Sequence, residues 1–148
     1  MIKILFICHG NICRSPMAEF IFKKLINDNK LDNDFEIDSA ATSSEEIGNG
    51  IYYPARACLD KHNIPYGNHR SRRINKTDLD YFDYVIAMEQ YNIDNLIRLL
   101  GDCDKYSLLL DYTDKKGDID DPWYTGDYET AYKQIYEGCL GLLSKMLK

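Results

Sequence analysis

The sequence predicts an α/β protein, a three-layer α/β/α arrangement around a central four-stranded parallel sheet. Three observations carry that prediction. Residues 2–8, Ile-Lys-Ile-Leu-Phe-Ile-Cys, are apolar and mostly β-branched or bulky, with Lys3 the one exception, the pattern of a strand buried on both faces. Strand-like and helix-like segments then alternate along the chain, which calls for parallel pairing with helices over the sheet. The first strand also leads through a short loop into a helix start, and ligands in such folds sit at loops of that kind.

The elements follow in order. Gly10 and Asn11 break the first strand. Ser15–Pro16 reads as a helix start, a capping hydroxyl before a proline whose missing N–H costs nothing at the first helical position. From Pro16 to about Asn29, Met17, Phe20, Ile21, Leu25 and Ile26 fall on helical spacing. Phe35–Ser39 is the second expected strand, followed by a polar loop through Ser43, Ser44, Gly48 and Gly50. Ala55–His62 reads as a helix and Tyr84–Met88 as a third, buried strand. Asn92–Leu100 is again helical, and Ser107–Leu110 is a short fourth strand. Asp111–Gly126, rich in Asp and Gly, reads as loop. The last helix starts near Asp127 and carries Tyr128, Ala131, Ile135, Leu142 and Met146 on one stripe. No repeat or linker interrupts this order, so residues 1–148 are expected to form one domain.

Composition narrows the function. At 148 residues, 45% hydrophobic and 28% charged, the chain has the length and balance of a globular protein. A net charge of −6 speaks against nonspecific nucleic-acid binding, which needs clustered cations; Arg70–Ser71–Arg72–Arg73 is the only dense basic stretch. The opening apolar run is too short to span a membrane, and no signal-peptide cleavage pattern follows it. Five cysteines, an odd number without framework spacing, predict reduced thiols in a cytoplasmic setting. Neither a membrane nor a nucleic acid is expected as a partner.

The segment Cys8–His9–Gly10–Asn11–Ile12–Cys13–Arg14–Ser15–Pro16 combines several requirements of phosphoryl transfer. Between a buried strand and a helix start, its backbone N–H groups can cradle an anion. Gly10 and Asn11 tolerate the left-handed backbone such a cradle needs. Arg14 offers a planar fork of donors for phosphoryl oxygens. Near a helix N-terminus and a guanidinium, Cys8 is favoured as the thiolate, the nucleophilic form. Ser15 can donate to the same sulfur. The plainer reading, a buried thiol beside a helix cap, leaves Arg14 without a purpose.

At these residues the sequence closely resembles the low-molecular-weight protein-tyrosine phosphatases. The family signature of Cys, five residues, Arg, then Ser or Thr stands here as CHGNICRS, followed by PMAE. Further similarity lies at Ile37–Asp38–Ser39–Ala40, Phe82–Asp83–Tyr84 and Asp121–Pro122–Trp123–Tyr124. The resemblance implies a flavodoxin-like phosphatase fold and hydrolysis of phosphate monoesters, foremost protein phosphotyrosine, through a cysteinyl-phosphate. No cofactor or metal is implied, because loop amides and Arg14 neutralise the phosphoryl charge. Phosphate or another oxyanion is the expected occupant of the loop.

Asp121, before Pro122, is implied as the general acid, with Asp118 and Asp120 its rivals on composition alone. Asn11, Ser15, Ser39 and, with a one-residue shift, His69 match positions that brace the family's loop. Trp123 and Tyr124 resemble the aromatic pair of its substrate cleft. His9 departs from a commonly apolar position, and Glu45 and Glu46 stand where the opposite rim often has an aromatic residue. Cys13 matches a position that can form a reversible disulfide with the nucleophile. Rival readings are an arsenate reductase, which lacks a cysteine relay pair here, and a protein-arginine phosphatase, which carries Thr where this chain has Ile12. From other classes come a metal module of Cys8, Cys13, Cys58 and His62, and a phosphotyrosine-binding module without catalysis.

Overall fold

Ile4, Leu5, Phe6 and Ile7 have no exposed surface because their strand lies inside the sheet with helices over both faces. The computed structural model describes residues 1–148. Its strands are β1 (Ile2–Cys8), β2 (Phe35–Ala41), β3 (Tyr84–Ala87) and β4 (Tyr106–Leu108), in the order β2–β1–β3–β4 with every pairing parallel. The helices are α1 (Arg14–Asp28), α2 (Tyr53–Lys61), α3 (Lys76–Tyr81), α4 (Gln90–Leu100), α5 (Pro122–Thr125) and α6 (Tyr128–Met146).

Side chains alternate across β1 with the period of the pleat. Ile4, Phe6 and Cys8 join a core with Met17 and Ile21 of α1, Ala55 and Leu59 of α2, and Ile135 and Leu142 of α6. Leu5 and Ile7 join Val85, Leu79 of α3 and Leu96 of α4 in a second core on the opposite face. This is the expected three-layer α/β/α arrangement. The chain leaves β1 to build β2 on one side and returns to build β3 on the other, so a crevice opens where β1 ends.

Several local expectations are corrected. Helix α1 begins at Arg14 with Cys13 as its cap residue, and no side chain caps it. The Ser15 hydroxyl is not a cap because it turns to the Cys8 sulfur instead. Helix α3 was not expected, although Asn75 and Asp78 form a capping box at its start; six residues are too few to show a helical stripe. Helix α2 starts two residues before Ala55, with Pro54 in its first turn. Strand β4 ends at Leu108, and Leu109–Tyr112 wind into a 3₁₀ turn because the Asp111 carboxylate accepts from the Leu108 N–H. Within the expected loop of residues 111–126, Pro122–Thr125 form α5, capped by Asp121 and ended by Gly126 in the left-handed conformation.

Helix α6 packs against that 3₁₀ turn through Gly141, where an added Cβ would lie 2.1 Å from the Tyr112 carbonyl oxygen. Alanine in a helix interior normally stabilises by about 1 kcal/mol relative to glycine. Here Gly141→Ala should instead cost about 1–3 kcal/mol, the usual penalty of overpacking. A urea melt checks the sign, and a stabilised variant would refute the contact.

Candidate active site

The β1–α1 loop is fastened to the continuation of β2: Thr42 N–H donates to Cys8 O at 3.1 Å and Ser43 N–H to His9 O at 3.0 Å. Asn11 turns the loop with φ 58° and is fully buried. Left-handed backbone at a non-glycine residue is strained and persists only where its surroundings hold it. Its own side chain supplies much of that hold. Asn11 Nδ2 donates to Ser15 Oγ at 2.8 Å and to Ser39 Oγ at 2.9 Å, while Asn11 Oδ1 accepts from Arg72 N–H at 3.2 Å.

The network takes in the expected Ser39 and His69 and adds Glu19 and Ser71, which the sequence did not point to. Ser39 Oγ donates to Glu19 Oε1 at 2.6 Å, and Glu19, 4% exposed, is paired with Lys23 at 2.6 Å. His69 Nε2 donates to Asn11 O at 2.8 Å, with Nδ1 4.0 Å from Glu19. Ser71 Oγ donates to Gly10 O at 2.8 Å. The signal for Glu19 was present, since an acid on the buried stripe of a helix needs a polar partner.

These braces leave the main-chain donors of the loop free. The amides of Gly10, Ile12, Cys13 and Arg14 donate to no backbone carbonyl, as the start of a helix requires. Cys8 Sγ lies 3.3 Å from the Asn11 amide and 3.0 Å from Ser15 Oγ. Because Ser15 Oγ already accepts from Asn11, its proton is available to the sulfur. Cys13 differs: burial and the neighbouring Cys8 push its thiol up to about 12. It stays protonated at neutral pH.

Arg14 is 2% exposed. Its Nη1 donates to Glu89 Oε2 at 2.7 Å and to Ile119 O at 3.0 Å, and its Nη2 lies 3.2 Å from Asp121 Oδ2. Burial works against the charge, but the Cys8 sulfur, Asp121 and Glu89 hold the guanidinium above its ordinary range. The fork is thereby clamped on one edge, between the loop and the Asp121 carboxylate. Glu89 follows β3, and its place just past a strand end is the signal that could have marked it.

Asp121 alone of the three candidate acids faces the cleft. Its Oδ1 accepts from Trp123 N–H at 3.1 Å, which fixes the carboxylate on the turn into α5. Asp118 instead caps the Gln90 amide at 2.9 Å, and Asp120 is absent from the lining.

The cleft, about 490 Å³, is lined by Cys8, His9, Gly10, Ile12, Cys13 and Arg14 at its base and by Trp123 and Tyr124 on one wall. Glu45, Glu46 and Tyr91, the last unforeseen, complete the rim. Trp123 packs on Tyr52 with ring centres 5.0 Å apart, whereas Tyr124 is 84% exposed. His9 reaches toward Glu45, Nε2 to Oε2 3.7 Å. Cys58 and His62 lie with Glu129, so the four-residue metal module read from residue types is not assembled.

Cleavage of phosphate monoesters through a thiol is the chemistry served by this fold and cleft, and the class is that of the cysteine-dependent phosphatases. A family model described as low molecular weight phosphotyrosine protein phosphatase matches residues 3–148. The low molecular weight phosphotyrosine protein phosphatase of Gallus gallus is 44% identical over 150 residues, covering 97% of this chain and 94% of the relative. The crystal structure of YfkJ from Bacillus subtilis superposes with a TM-score of 0.96 at 38% identity, covering 99% and 95% of the two chains. SP-PTP of Streptococcus pyogenes superposes with a TM-score of 0.87 at 35% identity, covering 100% and 95%. The chain belongs to the low molecular weight phosphotyrosine protein phosphatase family and hydrolyses phosphotyrosine by cysteine chemistry.

Proposed function

We propose that Cys8 is the nucleophile, Arg14 the transition-state clamp and Asp121 the general acid and base of a cytoplasmic protein-tyrosine phosphatase. The observation that carries this reading is one cleft lined by Cys8, by loop residues whose amides have no backbone acceptor, and by Asp121 at 3.2 Å from Arg14. In the first step the thiolate attacks phosphorus in line. The S–P bond forms, the P–O bond to the phenol breaks, and the Asp121 carboxyl proton passes to the leaving oxygen. Loop amides and Arg14 hold the equatorial oxygens as charge redistributes. In the second step Asp121 takes a proton from water, the hydroxyl attacks phosphorus, and the thiolate departs with the Ser15 proton at its side. Inorganic phosphate leaves. Rapid quench of a reaction with labelled substrate should find phosphate on Cys8; label on any other residue would overturn the assignment.

The rim sets the peptide preference. Glu45, Glu46, Glu89 and Asp121 line the mouth, with His9 the only potential countercharge besides Arg14. A field of one sign repels acidic phosphopeptides and draws basic ones. Peptides with Lys or Arg beside phosphotyrosine should therefore show the higher kcat/KM at low salt, and Glu45→Lys with Glu46→Lys should reverse the order. Equal rates across the panel would remove this claim. Ile12 in the lining supports an aryl phosphate over a phosphoguanidinium, so phosphoarginine peptides included in the panel should be the poorer substrates.

A further inference from the structure

Away from the cleft, Cys58, His62 and Glu129 bring a sulfur, an imidazole nitrogen and a carboxylate within 4.8 Å of one another. We propose that these three side chains bind one borderline-soft divalent cation of the zinc type, tying α2 to α6.

The placement follows from the helices. Cys58 and His62 are four residues apart at the end of α2, so they share a face. Glu129 stands in the first turn of α6, directly opposite. His62 Nε2 is 2.9 Å from both Glu129 oxygens, and Cys58 Sγ is 3.7 Å from Oε1. Around tetrahedral zinc, with bonds of about 2.0–2.3 Å, adjacent ligand atoms stand about 3.3–3.6 Å apart. The sulfur–oxygen separation of 3.7 Å is within about 0.1 Å of that range. The nitrogen–oxygen separation need only open by about 0.4 Å to reach that spacing.

Other features prepare the site. The His62 ring is stacked on Tyr132, centres 3.8 Å apart and 8° from parallel, which aims Nε2 at the carboxylate. Cys58 is buried. His62 and Glu129 keep 29% and 37% of their side-chain surface, leaving an entry path and room for a water as fourth ligand. A simple His62–Glu129 ion pair would account for two of the three groups and leaves the sulfur only long contacts, 3.7 Å each, to Tyr128 O and Glu129 Oε1. Lys61 Nζ, 3.4 Å from Oε1, is the competing cation, and at 69% exposed it can swing into solvent.

Binding changes no oxidation state. The Cys58 thiol proton leaves to solvent as sulfur takes the metal, and so does any proton held between His62 and Glu129. Because the unfolded chain does not hold the three ligands together, the cation stabilises the fold by mass action.

The test is Co²⁺ titration of the full chain carrying Cys8→Ser, which removes the cleft thiol as a rival ligand. One equivalent should bind with a thiolate-to-cobalt charge-transfer band. Cys58→Ser in that background should abolish the band, and Glu129→Gln should weaken binding tenfold or more. In parallel, Zn²⁺ should raise the melting temperature of the Cys8→Ser chain but not of its Glu129→Gln derivative, whose half-buried, near-isosteric substitution spares the core. A band that survives Cys58→Ser, no one-equivalent binding, or an undiminished zinc shift in the Glu129→Gln chain would each overturn the proposal.

Discussion

Cys8→Ser should reduce turnover of phosphotyrosine peptides and of p-nitrophenyl phosphate by about 10⁶-fold, the scale on which an enzyme loses kcat with its nucleophile. The reason is chemical rather than steric. A serine hydroxyl in the same place would receive the same Asn11 amide and Ser15 hydroxyl contacts, but it is not ionised near neutral pH. On the proposed reading Asp121 serves the leaving group, and neither nearby histidine is placed as a base for the serine: His69 is turned to the Asn11 carbonyl and His9 to Glu45. The anion cradle itself is untouched, so inorganic phosphate should still bind and protect the variant against thermal unfolding. Turnover within tenfold of the parent would show that another group attacks phosphorus.

Asp121→Asn should lower kcat on phenyl phosphate by about 10²–10⁴-fold, the usual worth of general acid catalysis. The amide keeps an oxygen able to accept from the Trp123 N–H, so α5 retains its cap; what is lost is the transferable proton. The deficit should shrink on p-nitrophenyl phosphate, whose phenolate leaves without protonation. That dependence on leaving group separates a chemical role from a structural one. Asp121 also faces Arg14, and a merely electrostatic partner would produce equal losses on both substrates. Parent-like kcat on phenyl phosphate would exclude Asp121 as the acid.

The resemblance at CHGNICRS led to the family, and the alternation of apolar segments led to the parallel sheet, because both signals are local. An unbroken apolar run marks an interior strand wherever it occurs, and a Cys-to-Arg loop is read within eight residues. What lay outside that reach was assembled from distant segments. Glu19, Glu89 and the adjacent Ser71–Arg72 come from three separate places, yet they meet around one loop. Ser15 shows the limit at a single residue. Its position before Pro16 predicts a cap, and only the neighbourhood of the Cys8 sulfur draws its hydroxyl elsewhere.

By itself, the order of residues determined the layered architecture, the family and the thiol–guanidinium loop, since these follow from short-range patterning and chain sterics. The resemblance pointed to Asp121 among three neighbouring acids, but what clamps Arg14 and which groups surround Cys58 were decided by packing. Those choices depend on which strand ends and helix faces come together, and such distances exist only once the sheet has ordered β1 between β2 and β3.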